Sequence, residues 1–233
     1  MLSELKITFE SLADSERAKK SLRYFKTGKG DYAEGDVFIG VTAPQLRALS
    51  KEYKTLPLSD CLQLLTSKIH ESRMLALFIM ALKFKKADEH NQTEIYTQYL
   101  RHSRYVNNWD LVDCSAPHIS GPYLINRDKR ILYTLAKSEL LWERRIAMIS
   151  CFSLIRDKQY QDALNLSEIL LTDTEDLMHK AVGWMLREIG KRDKIVEVNF
   201  LKQHAASMPR VMLRYAIEKF DSNERQYFLA LKA

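Results

Sequence analysis

The sequence predicts an all-α fold, an α-solenoid of HEAT-like helix pairs with a concave basic groove. Three observations predict it. Turn residues are scarce, with seven Gly and five Pro in 233 residues and no Gly between Gly40 and Gly121. A β-rich fold needs more. Apolar residues recur at helical spacing from the 27–40 loop almost to the C-terminus. Similar helix starts also recur at a fixed interval. Glu71-Ser72-Arg73-Met74 is followed about 36 residues on by Asn108-Trp109-Asp110-Leu111, and after the same step by Glu143-Arg144-Arg145-Ile146. Steps of about 35 and 34 then reach His179-Lys180-Ala181-Val182 and Leu213-Arg214-Tyr215-Ala216. A helix pair recurring at such an interval cannot bury its apolar face alone, and stacking supplies the core. The tetratricopeptide pattern of Trp, Gly and Tyr is missing, which favours a HEAT-like pair.

The elements follow in order. A helical stretch ends near Lys26, and the glycine-rich 27–40 segment reads as a loop. Its Gly28-Lys29-Gly30 lacks the spacing of a phosphate loop. Further breaks are expected at Pro57, Asn107-Asn108, Gly121-Pro122, Asp157, Asp173, Asp193 and Pro209, leaving helices of about 10–18 residues. No linker divides the chain, so a single domain over 1–233 is expected.

Cys61, Cys114 and Cys151 show neither disulfide arithmetic nor CxxC spacing, and the six His are scattered. No disulfide framework, metal or cofactor is expected, and a reducing compartment is. No stretch reaches the ~18 consecutive apolar residues of a membrane helix, and Met1-Leu2-Ser3-Glu4 carries an acid where a signal peptide would be apolar. The expectation is a soluble, cytoplasmic protein with no membrane partner. A net charge of +6 and a pI of about 9.1 point to a polyanionic partner.

One register position carries the functional signal. Arg73, Trp109, Arg145, Lys180 and Arg214 fill it, and a row of cations one repeat apart would track a phosphate backbone. The bland alternative is that these cations snorkel along apolar neighbours. The helix over 175–191 adds a core stripe of Met178, Val182, Met185 and Ile189 beside a second stripe of Lys180, Trp184, Arg187 and Lys191. A Trp among cations suits a base, a sugar or a cation. Where the row is interrupted, Trp109 and Asp113 stand one helical turn apart and share a face. The register brings Trp109, Asp113, Arg145 and Trp184 towards one region of the inner surface.

At these residues the sequence resembles the AlkD-type DNA alkylation repair family, helical-repeat DNA glycosylases that remove alkylated purines. The resemblance covers most of the chain. It rests on Tyr24-Phe25-Lys26, the 38–44 loop, His70-Glu71-Ser72-Arg73, Trp109-Asp110-Leu111-Val112-Asp113, Trp142-Glu143-Arg144-Arg145 and Lys180-Ala181-Val182-Gly183-Trp184-Met185-Leu186-Arg187-Glu188. It implies Asp113 as the active-site aspartate, Trp109 and Trp184 as the active-site tryptophans, and Arg145 as a DNA-contacting arginine. Asn108 departs from the pattern, which would have an aromatic residue there. Together the readings give Asp113, Trp109 and Trp184 as catalytic. Arg145, Arg187, Lys180, Arg214, Arg73, Lys191 and Tyr24 are the DNA-binding residues.

The chemistry is compatible with one carboxylate. Glycoside hydrolysis ordinarily needs an acid for the leaving group. A purine alkylated at N3 or N7 is already cationic and leaves neutral. An ionised Asp113 can then stabilise the cationic sugar and hold the water. The expected partner is duplex DNA containing alkylated purines, bound by a monomer at a shallow surface, with uncharged lesions as poor substrates. Two other functions remain open: DNA binding without catalysis, and a protein-binding scaffold.

Overall fold

The five segments of the repeat each begin within three residues of a helix start in the computed structural model, which describes residues 1–231. Those starts are His70, Trp109, Leu141, Asp176 and Arg210, each preceded by another helix. Extended backbone pairs only at one bridge, Val37 with Ile69, among the described residues. The fold is all-helical and α-solenoid-like. No described helix is long and apolar enough to cross a membrane.

The helices fall into two compact units, 1–119 and 120–233. The first holds α1 (Leu2–Ser11), α2 (Ser15–Tyr24), α3 (Ala43–Glu52), α4 (Leu58–Leu65), α5 (His70–Lys86), α6 (Glu89–Arg101) and α7 (Trp109–Ser115). Its centre is α5. Every residue from His70 to Met80 is buried, as expected of a helix enclosed by neighbours, here α3, α4 and α7. The loop before α3 is tied down at Gly40. There φ is +83°, and a Cβ would stand 2.1 Å from the Asp14 carbonyl oxygen, so only glycine fits. The Glu71 carboxylate accepts from the Ile39 and Gly40 amides and fixes the same loop to α5.

The second unit holds α8 (Ser120–Leu124), α9 (Arg130–Leu135), α10 (Leu141–Arg156), α11 (Gln161–Ile169), α12 (Asp176–Gly190), α13 (Lys194–His204), α14 (Arg210–Ala216) and α15 (Ser222–Ala230). Its buried centre is α10, packed by α8, α9, α11 and α12. Gly183 lets α12 approach α14 closely, since a Cβ there would lie 2.4 Å from the Met212 carbonyl oxygen.

The breaks at Asp157, Asp173, Asp193 and Pro209 fall at helix ends or caps. The break expected at Gly121-Pro122 does not. Both residues lie inside α8, where Gly121 allows contact with the Ser150 carbonyl of α10 and Pro122 falls in the first turn, whose amides need no intrahelical acceptor. The chain turns over 125–129 instead. Several helices are also shorter than the expected range, α7 and α14 having seven residues each.

Candidate active site

In the first unit the site is built on the short helix α7. Asn108 is its N-cap, fully buried, with its side-chain oxygen accepting from the Trp109 amide. Asn108 thus starts the helix. Trp109 and Asp113 follow one turn apart, both half-buried. The Trp109 indole stacks on Phe25, with centroids 5.7 Å apart and planes 28° apart. The Tyr24 ring meets its edge at 6.1 Å and is 66% exposed. Tyr32 shares a hydrogen bond with Trp109. Burial pushes the Tyr32 hydroxyl up, and that bond opposes the rise.

The stack continues inward. Phe25 lies parallel to Phe38 at 5.0 Å, and Phe38 lies on the His70 ring at 4.5 Å. His70 bridges Asp36 and Asp110 through its two ring nitrogens. An open pocket of about 350 Å³ borders this group, and Phe25, Phe38, His70, Asp110, Arg17 and Lys20 are among the residues that line it. The sequence reading missed Phe25, Phe38, Asp36 and His70 as a group. Phe25, Phe38 and His70 lie in segments that carried the resemblance, whereas nothing singled out Asp36.

Arg73, expected to touch DNA, does not reach the surface. It is 3% exposed, bonds the Asp36 carboxylate at 2.7 Å, and donates to the Ser67 and Lys68 carbonyls. Those acceptors satisfy a cation that the N-terminal end of a helix disfavours.

In the second unit the two stripes of α12 are as the sequence has them. Met178, Val182, Met185 and Ile189 are fully buried, and Trp184 lies outside that core. Its ring packs near Phe152 at 5.9 Å, and its indole N–H donates to Glu188 Oε1 at 3.3 Å. Glu188 also accepts from Lys191 at 2.5 Å and Arg192 at 2.9 Å. Burial would raise its carboxyl, but the bonds from Lys191 and Arg192 outweigh that and hold it below the usual range.

The other expected phosphate contacts have varied surroundings. Lys180 pairs with Asp176 at 2.6 Å, and Arg187 pairs with Glu218. Arg145 is 4% exposed and donates to the Leu177 carbonyl, whereas Arg214 is exposed on α14. The cations therefore do not form one uniform row. Counted from the helix starts, Asp113, Arg145, Lys180 and Arg214 each stand fifth, Arg73 stands fourth and Trp109 first. The register drawn from sequence was displaced, and Asp113 rather than Trp109 replaces the recurring cation.

The model of the DNA alkylation repair enzyme family matches residues 5–220. A solved structure described as a predicted DNA alkylation repair enzyme from Enterococcus faecalis is similar in fold, with a TM-score of 0.69. It shares 19% identity, over 90% of this chain and 97% of that one. No curated protein matches the chain.

Proposed function

The chain belongs to the DNA alkylation repair enzyme family, with a role in alkylation repair, and we propose that it is a DNA glycosylase acting on cationic N3- or N7-alkylated purines in duplex DNA. The observation that supports this most is the pairing of Trp109 with Asp113 on α7, one turn apart and partly open to solvent. A carboxylate beside an aromatic face suits a sugar that gains positive charge as its base departs.

In the proposed reaction the bond between C1′ and the purine nitrogen breaks, and its electron pair leaves with the base. The purine's positive charge is cancelled, so no side chain need protonate it. Asp113 stabilises the oxocarbenium-like sugar and orients a water, whose oxygen bonds to C1′ and whose proton is lost to Asp113 or solvent. Trp109, beside Asp113, offers its aromatic face to the cationic sugar, and Trp184 is proposed as a further aromatic contact to the DNA. Lys180, Arg187, Lys191, Arg214 and Tyr24 are the proposed backbone contacts, Arg145 being as buried as Arg73, and the ion pairs of Lys180, Arg187 and Lys191 would exchange a carboxylate for a phosphate. The protein is proposed to act as a monomer without a cofactor. Incubation with methylated duplex DNA tests the reading: wild type should release 7-methylguanine or 3-methyladenine and leave abasic sites, and no release would refute it.

A further inference from the structure

His70 is the first residue of α5 and is 1% exposed, yet both of its ring nitrogens face carboxylates. Nδ1 lies 3.1 Å from Asp36 Oδ2, and Nε2 lies 2.9 Å from Asp110 Oδ2. Ionised carboxylates only accept, so satisfying both contacts requires protons on both nitrogens. Burial works against that cation, but the bonds from Asp110 and then Asp36 outweigh it and raise the His70 pKa. Arg73 completes the cluster on Asp36 Oδ1. The charged groups around the ring are thus Asp36 from the loop, Glu71 and Arg73 from α5, and Asp110 from α7, with Arg17 and Lys20 of α2 in the lining of the adjoining pocket.

Stability alone does not account for such a group. A buried ionic cluster is often no more stabilising than apolar side chains of the same volume. Its connections say more. Asp110 is the second residue of α7 and the chain neighbour of Trp109, and its other oxygen accepts the Leu111 amide at 2.9 Å. His70 thereby holds the first turn of α7. The face of the same imidazole lies on Phe38, which stacks on Phe25, which stacks on Trp109. The indole is held from both sides, through the backbone beside Asp110 and through the ring stack.

We propose that His70 is a positioning residue for Trp109, clamping the start of α7 to the loop that carries Asp36 and backing the aromatic stack on which the indole lies. Its bearing on catalysis rests on the glycosylase reading, whereas its bearing on Trp109 does not. As pH rises through the His70 pKa, one nitrogen loses its proton and one carboxylate loses its donor. The clamp opens and the environment of Trp109 changes.

The full chain labelled with 5-fluorotryptophan provides a test by ¹⁹F NMR without DNA. Its three tryptophans, Trp109, Trp142 and Trp184, are assigned from single Trp→Phe variants. The Trp109 resonance should move in one titration step above the ordinary histidine pKa of about 6.5, and His70→Gln should abolish the step. In the same variant kcat for excision should fall about tenfold with KM within about twofold, since positioning is lost and binding is not. If His70→Gln does not fold, Asp110→Asn keeps the Asp36 contact and should likewise abolish the step. A Trp109 resonance indifferent to pH, or one that keeps its step in the variants, overturns the proposal. An intact step in a wild type that excises nothing supports the clamp and refutes the glycosylase reading.

Discussion

Arg73 and Arg144 occupy the same place in two different helices. Each is the fourth residue of its helix, the buried centre of its unit. Arg73 donates to the carbonyls of Ser67 and Lys68, and Arg144 to those of Ser138 and Glu139, in each case six and five residues back. Each then reaches a distant carboxylate, Asp36 or Asp173. The sequence offers two adjacent arginines at 144 and 145, and the shared bonding assigns the equivalence with Arg73 to Arg144.

That equivalence makes Arg73 a fold determinant. Arg73→Met should cost about 1.5–3 kcal/mol of stability, since the buried Asp36 carboxylate keeps His70 but loses its charged bond from Arg73. DNA affinity of the folded protein should keep the same salt dependence. A phosphate contact at Arg73 would instead lower the slope of log K against log salt by about 1. Urea denaturation and a salt titration of DNA binding separate the two.

Glu188 should matter through Trp184. Glu188→Gln loses the ionised acceptor that holds the indole N–H, Lys191 and Arg192 together. Excision is expected to fall several-fold in kcat while DNA binding is kept or strengthened, because Lys191 is released. The sign for stability follows from the depressed carboxyl of wild type. Its contribution is present above the unfolded carboxyl pKa and is lost as pH falls through the lower folded value, so the variant should show a smaller loss on acidification. Acid denaturation of the two proteins measures it.

Glu197 should behave in the opposite sense. It is 1% exposed, and burial raises its carboxyl to about 8. Favourable burial of the neutral acid is fully present below the unfolded pKa and is lost as pH rises from there through about 8. Glu197→Gln cannot ionise. It should be more stable than wild type near pH 9 by up to about 5 kcal/mol and show little difference below about pH 5. Thermal melts across that range check the crossover.

Selectivity should follow leaving-group charge. With no side chain assigned to protonate the base, duplexes containing uracil or another neutral base should be cleaved at least about 100-fold more slowly than those with 7-methylguanine, the range expected for a missing general acid. Comparable rates would mean that an acid had been overlooked.

The sequence was informative wherever period decides burial. The core stripe of α12 is legible because residues three and four apart share a helix face, and Trp184 is legible because it breaks that stripe. Trp109 and Asp113 are legible for the same reason. Periodicity could not say which arginine of the 144–145 pair is the counterpart of Arg73, since the answer depends on carboxylates far away in the chain, Asp36 and Asp173. It could not anticipate the pairing of the α12 cations with Asp176, Glu188 and Glu218 either. Nor could it join Asp36, His70 and Asp110, which come from a glycine-rich loop and two helices and meet only when α5 is buried between them.

The central claim is that Asp113 serves the chemistry rather than the binding. Single-turnover excision from a duplex with one 7-methylguanine, measured for wild type and Asp113→Asn beside their affinities for the same DNA, tests it most directly. The account predicts a rate at least about 100-fold lower in the variant with affinity within about threefold. Equal rates, or a rate loss that matches a loss of binding, would contradict it.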